Sequence, residues 1–197
     1  LPKDHKEFAR IPKFRPIISG SGSNTEFVSQ YIDSQSKHLV RELDSYIEDT
    51  PDFLRQLDEL QRTQEIDENV FPVTLDVVGL YSNIPYDEGM RFFEEALNKR
   101  RNQAVPTHFI LTLLSLVLTL NVFEFNETFY RQLMGTAMGT RCAPTYANIF
   151  MGGVENLFFR LGAQHVCKIF AQFYRRFIDE ILFWKGTVEE LKDFVAF

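Results

Sequence analysis

Two apolar, strand-forming segments that lie far apart in this chain are interrupted by carboxylates. Residues 71–75 (FPVTL) are followed at once by Asp76, and apolar residues flank Asp179 and Glu180 on both sides. A carboxylate in an apolar strand costs free energy unless a cation or hydrogen-bond donors compensate its charge. If the two segments are neighbours in one sheet, Asp76 and Asp179 can share a pair of divalent cations. This possibility constrains the fold more than any other feature of the sequence.

Each acidic segment also has an ordinary structural interpretation. Asp76 taken alone is more often a residue that accepts hydrogen bonds from backbone amides at a strand end. Asp179 and Glu180 taken alone fit a solvated turn between two strands. The cost of placing two like charges side by side falls when Mg²⁺ binds them, which favours the metal interpretation only if the segments meet.

The composition is that of a folded domain. The chain has 197 residues, of which 45% are hydrophobic, and it contains 20 phenylalanines, so we expect one domain or one with a small appendage and little disorder. The start at Leu1 and the apolar pattern at Phe197 suggest that both ends are cuts through a larger protein. Cys142 and Cys167 have no metal-ligand spacing and are expected to be buried thiols in a reducing compartment.

Charge and hydropathy restrict the partners. Residues 109–120 form the longest nearly apolar run, which is shorter than the roughly 20 residues that span a bilayer, so we expect a core helix and no membrane contact. A net charge of −6 argues at first against nucleic acid, because phosphate contacts require cations. However, residues 1–15 carry five Lys and Arg against two acids. A locally basic cleft on an acidic molecule therefore stays possible.

The pattern of apolar residues and turn formers predicts an α+β domain. Residues 1–23 are expected to be extended. The predicted helices cover residues 24–48, 52–64, 87–101, a segment after Pro106, and 144–161. The predicted strands are 71–75, a hairpin of 122–125 with 128–133, and a hairpin of 168–178 with 181–185 whose tip is Asp179 and Glu180.

A third segment, rich in Gly and Thr, lies between the two acidic ones. Residues 132–140 (QLMGTAMGT) are followed by Ala143, Pro144 and Asn148. Small residues between a strand and a helix let the backbone approach a substrate closely and leave amides at a helix start. A loop of this composition is by itself a weak signal and is more often only a connection.

The order of these three segments resembles motifs A, B and C of reverse transcriptases. The resemblance is closest to the polymerases of Penelope-like retroelements, and it covers residues 1–185. It rests on residues 1–6 (LPKDHK), 15–20 (RPIISG), Thr25 with Glu26, 80–85 (LYSNIP), 135–148 (GTAMGTRCAPTYAN) and 177–180 (FIDE).

The resemblance implies a right-hand polymerase palm with fingers, an antiparallel sheet packed on helices, and a missing thumb. Residues from about 1 to 70 would be mostly fingers, and residues from about 71 to 197 mostly palm. The implied activity is that of an RNA-directed DNA polymerase, with a template and primer of RNA or DNA, dNTP and two Mg²⁺ ions, for which Mn²⁺ can substitute. A nuclear, or otherwise intracellular, location follows from the retroelement resemblance alone.

The resemblance also implies roles for single residues. Asp76 and Asp179 would be the principal metal ligands, with Glu180 as the third carboxylate. The remaining implied roles are Tyr81 as the gate at the sugar 2′ position, Arg15 and Lys13 on the triphosphate, Met138 and Gly139 in the nucleotide pocket, and Lys3, His5, Lys6 and Arg175 on the template or primer backbone.

One position departs from the family pattern. Active reverse transcriptases usually have a second aspartate where this chain has Glu180, which keeps the charge but moves the oxygens by roughly a bond length. This leaves two alternatives to a working polymerase. The chain can be a degenerate, non-catalytic nucleic-acid-binding remnant, or an interaction domain whose acids only cap turns, in which case Asp76 and Glu180 should lie far apart. The oligomeric state is left open.

Overall fold

A computed structural model describes residues 17–63, 70–161, 174–177, 179–185, 187–189 and 191–192 of the chain. Helices alternate with short strands in these ranges, in agreement with the α+β prediction. In chain order the elements are α1 (Glu26–Val40), α2 (Thr50–Arg62), β1 (Val70–Leu75), α3 (Leu80–Asn83), α4 (Tyr86–Asn98), α5 (Thr107–Thr119), β2 (Val122–Phe125), β3 (Thr128–Arg131), α6 (Ala143–Leu161), β4 (Tyr174–Phe177) and β5 (Asp179–Lys185).

Local signals account for where several helices begin. Asp49 is the N-cap of α2, and its side chain accepts a 2.8 Å hydrogen bond from the amide of Asp52. Pro51 occupies the first turn of α2, where a missing amide proton costs nothing. Helices α4 and α5 each follow a proline in extended conformation, Pro85 and Pro106. These starts lie within two residues of the predicted ones.

The first helix is shorter than predicted. The apolar pattern of residues 24–48 predicted one helix, but α1 ends at Val40, and the residues after it form turns and an isolated bridge between Tyr46 and Arg176. The amide of Ile47 donates to the carbonyl of Arg176 at 3.0 Å. Tertiary pairing therefore overrides the helical pattern in this segment.

Smaller differences concern element ends. The four-residue helix α3 was not predicted, and β3 ends at Arg131, two residues earlier than expected. Of the strand predicted over 168–178, the structure describes only β4, since residues 168–173 and 178 lie outside the described residues, as does Cys167.

The described residues divide between two compact units, drawn from Leu1–Leu39 with Gly79–Phe150 (unit 1) and from Val40–Val78 with Met151–Phe197 (unit 2). The core of unit 1 lies among its helices. Phe93 is fully buried and its ring centroid lies 5.9 Å from that of Tyr146. Other buried members are Leu97, Ile110, Leu114 and the predicted buried thiol Cys142.

Helix α5 is buried on one side only. Ile110 and Leu114 are fully buried, whereas Phe109, Leu116 and Leu120 just beyond the helix are 43–58% exposed. The prediction of a core helix is thus right for one face. Among the described residues, no helix combines the length and apolarity needed to cross a bilayer.

Unit 1 also contains a two-stranded antiparallel sheet. Strands β2 and β3 pair with Phe123 opposite Tyr130, and their rings stack with centroids 5.6 Å apart. Asn126 and Glu127 both have positive φ angles, 51° and 59°, which is the geometry of a tight hairpin turn. The prediction of a hairpin split at these two residues is confirmed.

The sheet of unit 2 is antiparallel and has the strand order β1-β5-β4. Strand β5 is therefore central and pairs on both sides. One face of the sheet packs around Tyr174, which is 4% exposed. The side chains packed against it are Phe71, Val73, Leu75, Phe158 and Leu191.

Candidate active site

The register of the sheet in unit 2 brings the two acidic segments together. Leu75, the last residue of β1, is the cross-strand partner of Glu180 on β5. Directly opposed residues of antiparallel strands have Cα atoms about 4.5–5.5 Å apart. Because the strands run in opposite directions, Asp76 follows Leu75 at the end of the sheet where Asp179 precedes Glu180. The separation expected of acids that only cap unrelated turns is not observed.

Successive positions along a strand alternate between the two faces of a sheet. Phe71, Val73 and Leu75 pack on the Tyr174 side, whereas Asp76 is exposed. On β5, Glu180 is the cross-strand partner of both Leu75 and Arg176. The preceding residue, Asp179, pairs with Phe177. In this register Asp76 and Asp179 lie at positions on the same face of the sheet, and Glu180 lies at a position on the opposite face.

The position of the acids in the hairpin differs from the prediction. Asp179 and Glu180 were expected to form its tip, but both belong to β5 and pair with Phe177 and Arg176. Ile178, between the two strands in sequence, lies outside the described residues. Acidic residues favour turns, but pairing of β5 with strands on both sides takes precedence over that local preference.

The donor set at this end of the sheet suits a hard divalent cation. Mg²⁺ prefers carboxylate oxygens and keeps several waters, so two aspartates at one end of a sheet fit its coordination. The described side chains include no group of three or more His, Cys, Asp or Glu placed to hold a metal ion. The side chains of Asp179 and Glu180 lie outside that described set. The fit therefore rests on residue type and register.

A buried ion pair fixes strand β4 beside the acidic strand. Arg176 is 1% exposed, and its Nε donates to Oε1 of Glu155 on α6 at 2.6 Å. The hydroxyl of Ser45 donates to the other oxygen of Glu155 at 2.6 Å, and the amide of Arg176 donates to the carbonyl of Ser45, also at 2.6 Å. The network holds Arg176, the cross-strand partner of Glu180, in one place.

In unit 1 the Gly-rich loop packs against residues 18–20. The amide of Ile18 donates to the carbonyl of Met138 at 3.0 Å. Gly139 has a φ of 114°, and a Cβ there would lie 2.1 Å from the carbonyl oxygen of Ile18. Only glycine fits this position. The segments that resemble a finger motif and motif B are thus in direct backbone contact.

Tyr81 lies against the same loop. Its carbonyl accepts a 2.7 Å hydrogen bond from the amide of Thr136. A Cβ on Gly135, whose φ is 73°, would lie 2.2 Å from that carbonyl oxygen. Burial raises the pKa of Tyr81 above its ordinary value, so the phenol is neutral at pH 7. Tyr81, the predicted gate, therefore packs against the loop that contains the predicted pocket residues Met138 and Gly139.

The basic residues predicted to contact substrate are only partly described. Five of them, Lys3, His5, Lys6, Lys13 and Arg15, lie outside the described residues. Arg175 is described, and its Nε donates to Oε1 of Gln56 at 2.7 Å while Nη1 donates to the carbonyl of Tyr174 at 2.8 Å. Its role in nucleic-acid binding stays a prediction.

Comparisons with known proteins place this fold. No family model and no curated protein matches the chain. Among solved structures, apo telomerase from Candida tropicalis superimposes with a TM-score of 0.62 and 10% identity over 88% of this chain and 32% of that one. The same enzyme truncated from its C-terminal domain gives a TM-score of 0.58 and 13% identity over 86% and 35%.

A third match is telomerase from Candida albicans in complex with the TWJ fragment of telomeric RNA. It has a TM-score of 0.58 and 14% identity over 87% of this chain and 31% of that one. The chain spans about a third of the length of the telomerases it matches. Since telomerase is related to reverse transcriptases, these matches are consistent with a reverse-transcriptase-like fold.

The residues that hold β4 in place could not be identified from the sequence. Glu155 and Ser45 carried no recognisable signal, because their hydrogen bonds join segments far apart in the chain. Arg176 directly follows Arg175 in the sequence, and of the two only Arg175 was predicted to contact nucleic acid. The structure separates the two arginines, because Tyr174 and Arg176 occupy buried positions of β4 and Arg175 lies between them.

Proposed function

We propose that this chain is the fingers-and-palm part of an RNA-directed DNA polymerase of a Penelope-like retroelement. The observation that carries the proposal is the β1–β5 register, in which Asp76 and Asp179 share one end of a sheet. The fold likeness to telomerases supports the same reaction class. A nuclear site of action is part of the proposal.

Two aspartates at this position suit phosphoryl transfer. Asp76 and Asp179 would hold two Mg²⁺ or Mn²⁺ ions, which supply charge stabilisation for the attacking and leaving oxygens when bound. Glu180, at the alternate position of the strand, would adjust the local field and is expected to tolerate change better. The reaction needs positioning and electrostatics and no covalent enzyme intermediate.

The resemblance also implies which residues would hold the nucleotide. Tyr81 would screen the sugar 2′ position, and its neutral phenol adds no negative charge beside a triphosphate. Met138 and Gly139 would line the pocket. Arg15, with Lys13, would neutralise the triphosphate, for which a guanidinium fork is well suited. Lys3, His5, Lys6 and Arg175 would contact the template or primer backbone.

Primer extension tests the proposal. Because the chain covers about a third of the telomerases it matches, it is joined to the downstream part of a related enzyme and assayed on RNA and DNA templates with Mg²⁺ or Mn²⁺. We expect Asp76→Ala and Asp179→Ala each to lower extension by about 100-fold or more, since losing a metal ligand removes several kcal/mol of transition-state stabilisation. Asp87→Ala, a matched control at an exposed position of α4, should leave extension unchanged.

The identity of residue 180 favours one competing function. A glutamate where related enzymes have aspartate is compatible with a non-catalytic nucleic-acid-binding remnant. If the native chain does not extend a primer and Glu180→Asp restores extension, the remnant interpretation is right. Extension by the native chain that persists in Asp76→Ala would refute the assignment of the metal ligands.

A further inference from the structure

Unit 1 contains a buried arginine without an acidic partner. Arg100 follows α4 and is 5% exposed. Its Nε donates to the carbonyl of Leu97 at 2.9 Å, and its Nη2 donates to the carbonyl of Val105 at 3.0 Å and to Oγ1 of Thr107 at 3.4 Å. All of these acceptors are neutral. Among the described residues, no carboxylate forms an ion pair with Arg100.

The guanidinium keeps unused donors. It carries five N–H groups, and the bonds above engage only those on Nε and Nη2. In the described part of the chain, no fully enclosed side-chain nitrogen lacks a hydrogen-bond partner. Nη1 of Arg100 makes none of these bonds, so it must reach an accessible surface. Burying a charge this far costs free energy unless a counter-charge is supplied.

A small cavity is lined in part by Arg100. Its volume is about 140 Å³, and it is lined by Arg100 together with residues of α1 and of the α4–α5 connection. These are Ser34, Gln35, His38, Asn102, Ala104 and Val105. Among the described residues, the lining is polar at most positions and contains no acid. Sites for drug-sized ligands usually have roughly 300–1,000 Å³, so this one is sized for a single compact anion.

We propose that this cavity binds one phosphate group, with Nη1 of Arg100 as its principal donor. Arginine suits phosphate because its guanidinium stays charged at neutral pH, and here both N–H groups of Nη1 are free to donate to phosphate oxygens. The amide oxygen of Asn102 accepts from the backbone of Ala104 at 2.9 Å, which leaves its NH₂ group to donate to the anion. The site shares no residue with the proposed catalytic set. The phosphate can be free or belong to a nucleic-acid strand.

The test compares phosphate binding by the full chain and by Asn102→Asp, using calorimetric titration at constant ionic strength. Aspartate keeps the oxygen that accepts from Ala104 but replaces the NH₂ donor by a negative charge beside Arg100. We expect the affinity for inorganic phosphate to fall at least about tenfold, since one hydrogen bond to a charged group accounts for such a factor. Arg101→Gln removes an exposed neighbouring charge and should change the affinity less than twofold, within measurement error.

A second readout locates the anion. The Nε–H NMR signal of Arg100 should shift on phosphate addition in the native chain, and at the same phosphate concentration it should shift less in Asn102→Asp. Equal phosphate affinity in both proteins, or no shift at Arg100 in the native chain, would overturn the proposal and leave Arg100 as a cap for the carbonyl of Leu97. If a single-stranded oligonucleotide displaces phosphate from the native chain but not from Asn102→Asp, the natural ligand is a phosphate of a nucleic-acid strand. If the oligonucleotide does not displace phosphate, the ligand is free phosphate.

Discussion

Replacing Glu155 by alanine removes the carboxylate to which both Arg176 and Ser45 donate. Arg176 is 1% exposed and the Glu155 side chain 10% exposed, so the change takes one charged acceptor away from a buried guanidinium. Breaking a buried pair by removing one partner typically costs about 3–5 kcal/mol. In a chain of this size 1 kcal/mol corresponds to about 2–4 °C in Tm, so we expect Tm to fall by about 6–20 °C.

The assay is thermal unfolding followed by circular dichroism, with two comparison variants. Asp58→Ala breaks the exposed pair with Arg62, whose side chains are 55% and 78% exposed, and should cost less than about 1 kcal/mol. Glu155→Leu combined with Arg176→Met removes both charges and should be more stable than Glu155→Ala. A fall in Tm after Glu155→Ala no larger than that after Asp58→Ala would refute the reasoning.

Two further predictions concern packing in unit 1. In Gly89→Ala the new Cβ would lie 1.9 Å from Oη of the buried Tyr146. We therefore expect a loss of about 1–3 kcal/mol in the free energy of unfolding. A denaturant titration that shows no loss would contradict this packing. Burial raises the pKa of Cys142 to about 12. In a Cys167→Ser variant, a thiol reagent at pH 8 should therefore react with Cys142 only as fast as the chain unfolds. Labelling faster than unfolding would contradict the burial of this thiol.

Local chemistry was enough to predict most elements of this fold. The cap at Asp49, the prolines at 51, 85 and 106, and the turn formed by Asn126 and Glu127 act within a few residues and can be recognised from the sequence. For the same reason the β2–β3 hairpin was predicted with its turn in the right place. From the sequence, Asp76 and Asp179 could be grouped only on the condition that their two segments are neighbours in one sheet.

Tertiary structure decided what depends on partners distant in the chain. The register of β1 with β5, the end of α1 at Val40 and the burial of Arg176 are set by hydrogen bonds between separate segments, which no local pattern encodes. The same is true of the cavity beside Arg100, since α1 and the α4–α5 connection form its walls together. The sequence by itself determined which side chains could carry chemistry, whereas strand pairing decided which of them meet, because pairing is a property of two segments at once.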